Sequence, residues 1–427
     1  MARPNVTVTI DDQSFVITGS EAGSVSRGGM VSHKGLILAV GYTAESKSGI
    51  MTVPSIDDWW GRLQTTEPVA AGYANYAHLN TSGASQPAGG TYSRYPLGPT
   101  SEWKGEWWAV HNYLQYGGAA VIGATGTVEN KGTLSSTNTP LHNREVPLDA
   151  IFVGGEKDGS VIANDINTAI NISTTRKDCI AFIPHGSSGA DTAASDLLAF
   201  NARIVGTLST IPASEFVSVI FGYKRHFGVN RNTKDQIDNL LVTNCSPDAA
   251  GCVARTDREY APWYSPAGTV RGQILNVLRM TDTPTDSEQD TLYDGKVNPI
   301  VSFPGEGTIL FGDKTTAVNT STLSRINVSR LFIFLKKTVG AAARSKLFEF
   351  NDETTRSSFV NAVTPLLQTI KSNRGVYDFR VVCDETNNTS DIIDSNQFVA
   401  DIFIKPAKSI NFIRIRFTNK NTADDLG

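Results

Sequence analysis

Ile326-Asn327-Val328-Ser329-Arg330-Leu331-Phe332-Ile333-Phe334-Leu335-Lys336-Lys337 is the stretch on which the fold of this chain turns. Continued to Arg344 it predicts one helix: the apolar run Leu331 to Leu335 supplies a body to bury. Arg330, Lys337 and Arg344 recur every seven residues along one basic edge. Asn351-Asp352-Glu353 then offers a capping start with negative charge in the first turn. A second helical pattern follows through Phe359, Val363, Leu366, Leu367 and Ile370, with Pro365 expected to kink or divide it. Beyond the stop at Asn373-Arg374-Gly375, three extended runs follow: 377–383, 398–404 and 410–417.

In the last run Ile413, Ile415 and Phe417 share one face and Arg414, Arg416 and Thr418 the other, which is the alternation of a half-buried strand. Burying three such side chains contributes roughly 1.5–3 kcal/mol each. Fixing about ten backbone residues costs about 1–2 kcal/mol apiece, and each ladder hydrogen bond returns only about 1 kcal/mol net. Burial alone does not hold this strand, so it needs ladder partners, in its own sheet or a neighbour's.

Working outward, 427 residues can bury a large core in two or three domains, and 38 basic against 42 acidic residues leave a net charge of −4. No global basic field exists to attract nucleic acid. No apolar stretch approaches the ~20 residues of a membrane span. The start, Met1-Ala2-Arg3-Pro4, has no signal-peptide core, so the expectation is a cytoplasmic product that does not insert in a membrane. For Cys245 and Cys252 the reading is unpaired loop thiols rather than a disulfide or a zinc site.

From 150 onward short apolar runs alternate with helical patterns: 151–153, then a helix near 161–170; 179–183, then a helix near 193–205; then 216–221. That rhythm predicts a partly parallel sheet covered by helices. Before it, 35–41 reads as a buried strand, Ser55 with Asp57-Asp58 opens a helix through Trp59-Trp60, and 106–116 is a helix running into a strand at 119–123. Residues 65–104 form a long Gly/Ser/Thr-rich excursion. Val6, Val8 and Ile10 at period two, the polar break Asp11-Asp12-Gln13 and Phe15-Val16-Ile17 predict extended structure on a Gly-rich tether, 19–29.

The same layout serves many enzymes, and each enzyme class would leave its own motif. His185-Gly186-Ser187-Ser188-Gly189 sits where a nucleophile elbow would, which raises an α/β hydrolase as the reading from another class; the G-x-S-x-G spacing fails at Ala190. No phosphate loop or dinucleotide fingerprint occurs. The six histidines, His33, His78, His111, His142, His185 and His226, never fall at metal spacing. Asp352-Glu353 and Asp384-Glu385 read as caps and turns, and one ring each of Trp59-Trp60 and Trp107-Trp108 as core. No catalytic residue, cofactor or metal is expected.

Several short motifs in order carry a resemblance: Tyr264-Ser265-Pro266-Ala267-Gly268, Val297-Asn298-Pro299-Ile300, Arg325-Ile326-Asn327-Val328-Ser329-Arg330-Leu331, Phe348-Glu349-Phe350-Asn351-Asp352, Val382-Cys383-Asp384-Glu385-Thr386-Asn387 and Ile404-Lys405-Pro406-Ala407. Over residues 260 to 417 the chain resembles contractile-tail sheath proteins, the shells of bacteriophage tails and related injection machines. The resemblance implies a mixed α/β and α+β chain. Residues 1–30 would be an N-terminal arm joining the inner domain, 31–314 an outer α/β domain with a partly parallel sheet, 315–408 an inner α+β domain, and 409–427 a C-terminal arm. Val6, Val8, Ile10, Phe412, Ile413, Ile415 and Phe417 would pair between subunits, with the chain's own sheet as the other reading, and Arg330, Lys337 and Arg344 would touch an acidic surface of the tail tube, with a solvated helix face as the other reading. Implied partners are further copies in hexameric rings, the tail tube protein, and baseplate and tail terminator proteins. The implied place is the virion, after assembly in the host bacterial cytoplasm, with a non-viral injection system as the variant reading. The family commonly opens on a Pro-Gly-Val-Tyr-like segment, where this chain has Pro4-Asn5-Val6-Thr7.

Overall fold

The computed structural model describes residues 6–10, 15–19, 34–40, 50–57, 102–125, 147–154, 159–185, 211–227, 240–318 and 321–409. In chain order these form β1 (Val6–Ile10), β2 (Phe15–Gly19), β3 (Lys34–Val40), β4 (Ile50–Val53), α1 (Glu102–Leu114), β5 (Ala119–Thr125), β6 (Ala150–Phe152), α2 (Gly159–Arg176), β7 (Ile180–Pro184), β8 (Val217–Phe221), β9 (Tyr223–Phe227) and β10 (Leu240–Asn244). Then come α3 (Ser246–Glu259), β11 (Arg279–Met280), α4 (Asp286–Asp294), β12 (Val297–Phe303), β13 (Gly307–Leu310), α5 (Ile326–Arg344), α6 (Glu353–Ser372), β14 (Val376–Val382), α7 (Ser390–Asp394) and β15 (Asp401–Pro406).

The main sheet has the order β13-β12-β8-β7-β6-β3-β5-β4. Its six inner strands, β12 to β5, run parallel, and β4 and β13 close the two ends antiparallel. A strand covered on both faces is apolar on both, which is why 180–183 reads as a continuous run rather than an alternation. Ile180 and Phe182 enter the layer beneath α1, α3 and the start of α5; Ala181 and Ile183 enter the layer beneath α2 and α4. The helix predicted near 193–205, the Trp59-Trp60 helix and nearly all of the 65–104 excursion lie outside the described residues.

On the first of these faces α1 and α3 approach closely. A Cβ at Gly251 would fall 2.3 Å from the Tyr116 ring, so the approach needs glycine there. The Tyr116 hydroxyl donates to Asp248 Oδ1 (3.0 Å) and accepts from the Leu275 amide (2.8 Å), while Lys224 Nζ donates to the same Asp248 oxygen (2.8 Å) and to the Leu275 carbonyl (2.9 Å). Burial pushes the Asp248 carboxyl up, and Lys224 and Tyr116 offset only part of that. This buried knot ties four segments together. Cys245 and Cys252 are not loop thiols as expected: Cys245 is the N-cap of α3 and Cys252 lies within it, and both are buried in the same core.

A second core belongs to α5, α6 and the β14–β15 pair, with Leu331, Leu335, Val339, Phe359, Val363, Leu367 and Ile402 at its centre. Asp352 caps α6 by accepting from the Thr355 amide at 2.7 Å, and that bond holds its carboxyl below the usual range. The helix then runs through Pro365 to Ser372, so Pro365 does not divide it. β15 also takes β2 as an antiparallel neighbour, with Asp401 opposite Val16, and β1 folds back on β2 as a hairpin with Val8 opposite Ile17. The four-stranded order is β1-β2-β15-β14, so β1 and β2 complete a sheet whose other two strands come nearly four hundred residues later.

Trp108 stands edge-on between His111 (4.9 Å) and His226 (5.2 Å). Burial, with a smaller contribution from Lys224, lowers His111 from 6.5 to about 4. The unfolded chain binds this proton near 6.5 and the folded chain only near 4. The stabilisation is therefore whole above 6.5 and is lost as the pH falls through 4. Urea unfolding at pH 7 and pH 4 should show a loss of about 3 kcal/mol from this group, and His111→Gln should flatten that dependence.

Candidate assembly interface

α5 is shared by two cores, and the spacing of its residues explains how. Ile326, Arg330, Ile333 and Lys337 fall at i, i+4, i+7 and i+11, a single stripe of the helix. Ile326 and Ile333 pack into the core of the main sheet. Val328, Leu331, Leu335 and Val339 lie on the opposite side, in the C-terminal core.

The charges on that stripe do not face outward as a set. Arg330 is 7 % exposed and its guanidinium pairs with Asp257 of α3. Lys337 pairs with Asp149 at 2.8 Å and donates to the Leu148 carbonyl at 2.8 Å, just before β6. Burial opposes its charge, but Asp149 and Asp178 outweigh burial and raise its pKa. Of the three cations expected to face a tube, Arg330 and Lys337 are engaged within the chain, because the apolar stripe that carries them is itself docked. Arg344, one helical repeat further, is half-buried, and burial lowers its pKa. Sequence reasoning missed Asp257 and Asp149, which lie far from their partners and in no motif.

A second tie closes the junction where the chain passes from the main sheet to α5. Asp313 Oδ1 accepts from Arg325 (2.9 Å), Asp313 Oδ2 accepts from the hydroxyls of Ser265 (3.2 Å) and Ser409 (2.5 Å), and its carbonyl accepts from the Ile326 amide (2.7 Å). Ser409 is the last described residue, so the root of the C-terminal segment is pinned at the junction. Trp263 adds a third contact: its indole donates to the Asn373 carbonyl at 2.9 Å and its ring meets Phe334 edge-on at 5.8 Å.

Among the described residues the four-stranded sheet has β1 and β14 at its margins. Val6, Val8 and Ile10 lie on β1, paired within the chain through β2. Phe412, Ile413, Ile415 and Phe417 lie outside the described residues. His185 is buried at the end of β7 with its ring edge-on to Phe221 at 6.0 Å, while Ser187 and Ser188 lie outside the described residues. Asp384 is spent on a turn, accepting from the Thr386 amide at 2.9 Å.

Two family models match end to end across this architecture: the phage tail sheath protein central domain over residues 144–316 and the phage tail sheath C-terminal domain over residues 318–420. The chain belongs to the phage tail sheath family. Its curated relatives include the tail sheath protein of Vibrio phage KVP40, 41% identical over 270 residues that cover 60% of this chain and 39% of that one. Another is the tail sheath protein of Enterobacteria phage T4, 43% identical over 202 residues, 46% of this chain and 31% of that one. The matches thus span less than half the length of these two sheath proteins. In fold the chain resembles the anti-feeding prophage helical sheath in its contracted state, with a TM-score of 0.65 at 16% identity, covering 98% of this chain and 100% of that one.

Removing Arg330 leaves the Asp257 carboxylate of the sheath chain buried without its cation, so Arg330→Met should cost about 3–5 kcal/mol in urea unfolding. Arg330→Met combined with Asp257→Leu should recover most of that loss.

Proposed function

We propose that this chain is the subunit of a contractile tail sheath: it polymerises as stacked rings around a tail tube and shortens to drive that tube through a bacterial envelope. The observation that carries this reading is the composite C-terminal sheet. Its β15 is completed by a hairpin from the far end of the chain, attached through the Gly- and Ser-rich stretch 19–29. A hairpin on a long tether can close on its own sheet or on a neighbour's with the same main-chain bonds, so exchange costs little and links copies. Residues 409–427 supply a second strand-like arm whose apolar face, Phe412, Ile413, Ile415 and Phe417, needs a ladder that the segment cannot provide by itself.

In this reading the inner layer comprises residues 1–30 and 315–427, and residues 31–314 form the outer body. The rings hold six copies and bind the tail tube, with baseplate and terminator proteins at the two ends, in a virion assembled in the host cytoplasm. The role is structural, with no reaction to catalyse. Work is stored in the lattice: if the contracted arrangement buries more surface per copy, each copy releases a modest free energy that the number of copies multiplies. A kinetic barrier preserves the extended form until release. The docked α5 makes each copy move as one body, so rearrangement falls on the tethers. Arg344 is the remaining tube-facing candidate of the three cations. The phage setting is favoured over a non-viral injection system by the curated relatives at 41% and 43% identity.

The test is deletion of residues 410–427, which begins after the Ser409 anchor. The truncated chain should remain a folded monomer by circular dichroism and light scattering and form no tubes under the electron microscope. Tubes of normal yield from the truncated chain would remove the arm from the account. Arg344→Lys, which keeps the charge and shortens the reach of the donor fork, should leave self-assembly intact while weakening co-assembly with the tube protein.

A further inference from the structure

The two most exposed large apolar side chains among the described residues sit two positions apart: Phe348 at 88 % and Phe350 at 85 %. They occupy the loop between α5 and α6, with Glu349 between them. This loop is held, not loose. Lys346, Leu347 and Glu349 close turns onto Ala343, Arg344 and Lys346, Leu347 packs on the C-terminal core, and Asn351 Nδ2 donates to the Gln397 carbonyl at 2.7 Å. Phe348 itself has φ +70, a left-handed conformation that bulky residues avoid. A chain that holds a phenylalanine in an unfavoured backbone geometry, and keeps it in water, presents a peg.

A face of complementary character lies on another side of the same module. Across β14 and β15, Arg380 stands directly opposite Phe403, and Lys405 follows two residues on from Phe403 along the strand. Ile402 and Ile404 of β15 turn the other way into the core, so Arg380, Phe403 and Lys405 project outward; all three are exposed. Asp378 stands directly opposite Lys405 on this face and pairs with Lys371 at 2.7 Å, so three cations, Lys371, Arg380 and Lys405, meet one carboxylate there and the balance is basic.

We infer that the Phe348-Glu349-Phe350 peg of one copy seats on the Arg380–Phe403–Lys405 face of a second copy, the phenylalanines against Phe403 and Glu349 between the two cations. This rests on the reading of the chain as a self-assembling subunit. Charge complementarity selects the occupant: an acidic, aromatic peg meets a basic, aromatic face on the same polypeptide. Peg and face are different surfaces, so the contact is head-to-tail and propagates an open array rather than closing a pair. Two phenylalanines bury about 150–250 Å² each, less than the ~800 Å² per partner of a stable binary complex. The contact therefore acts only within a lattice, leaving the isolated chain monomeric.

The measurement is the critical concentration for tube formation by the full-length purified chain, from sedimentation and electron microscopy. Phe348→Ser with Phe350→Ser should raise it at least ~tenfold, a loss of about 1.4 kcal/mol per copy, with the monomer's melting temperature unchanged. Glu349→Arg alone and Arg380→Glu alone should each raise it, and the two combined should restore it to within about threefold of the natural chain. Equal critical concentrations for the natural chain and the phenylalanine pair would overturn this contact and leave the sheath reading standing. So would normal tubes from that pair coupled with lost binding to added tube protein, which would assign the peg to the tube. Failure of the natural chain to form tubes at all would overturn both.

Discussion

The docking of α5 between two cores is the constraint from which the rest of this structure follows. A helix that gives Ile326 and Ile333 to one core and Leu331, Leu335 and Val339 to another leaves the two modules no freedom to drift apart without exposing both. The charges on the seam raise the cost of opening it. Arg330 and Asp257 are each buried against the other, and separating them would strand both charges away from water. Asp313 and Trp263 fasten the same junction from the chain's other crossings.

In the proposed assembly, the segments that would link one copy with another are the hairpin at the start of the chain and the residues that follow Ser409. In such a polymer, main-chain ladders would keep neighbours joined while docked bodies change their mutual angle. The free energy of the change would come from surface buried between bodies.

Much of this was legible in the sequence where the signal is local. The apolar runs at 151–153, 179–183 and 216–221, spaced by helical patterns, announced a parallel sheet, and Asp352 announced the start of α6. What stayed hidden is what depends on distant partners. A cation every seven residues looks the same whether its stripe meets water or a carboxylate, and Arg330 finds Asp257 73 positions away while Lys337 finds Asp149 188 positions away. The hairpin shows the same limit. Asp11-Asp12-Gln13 marks a break between two extended runs, yet nothing local says that Val16 will lie beside Asp401.

That last pairing is where the account is most exposed to measurement. Copies carrying only Val16→Cys, mixed with copies carrying only Asp401→Cys, can be assembled and then oxidised; the described native thiols are all buried. If the hairpin completes the sheet of a neighbour in the polymer, disulfides form between the two kinds of chain and link the assembly into covalent ladders. If mixed tubes yield no cross-chain disulfide, while a chain bearing both cysteines closes internally within its tubes, the hairpin stays at home and the linkage proposed for this sheath is contradicted.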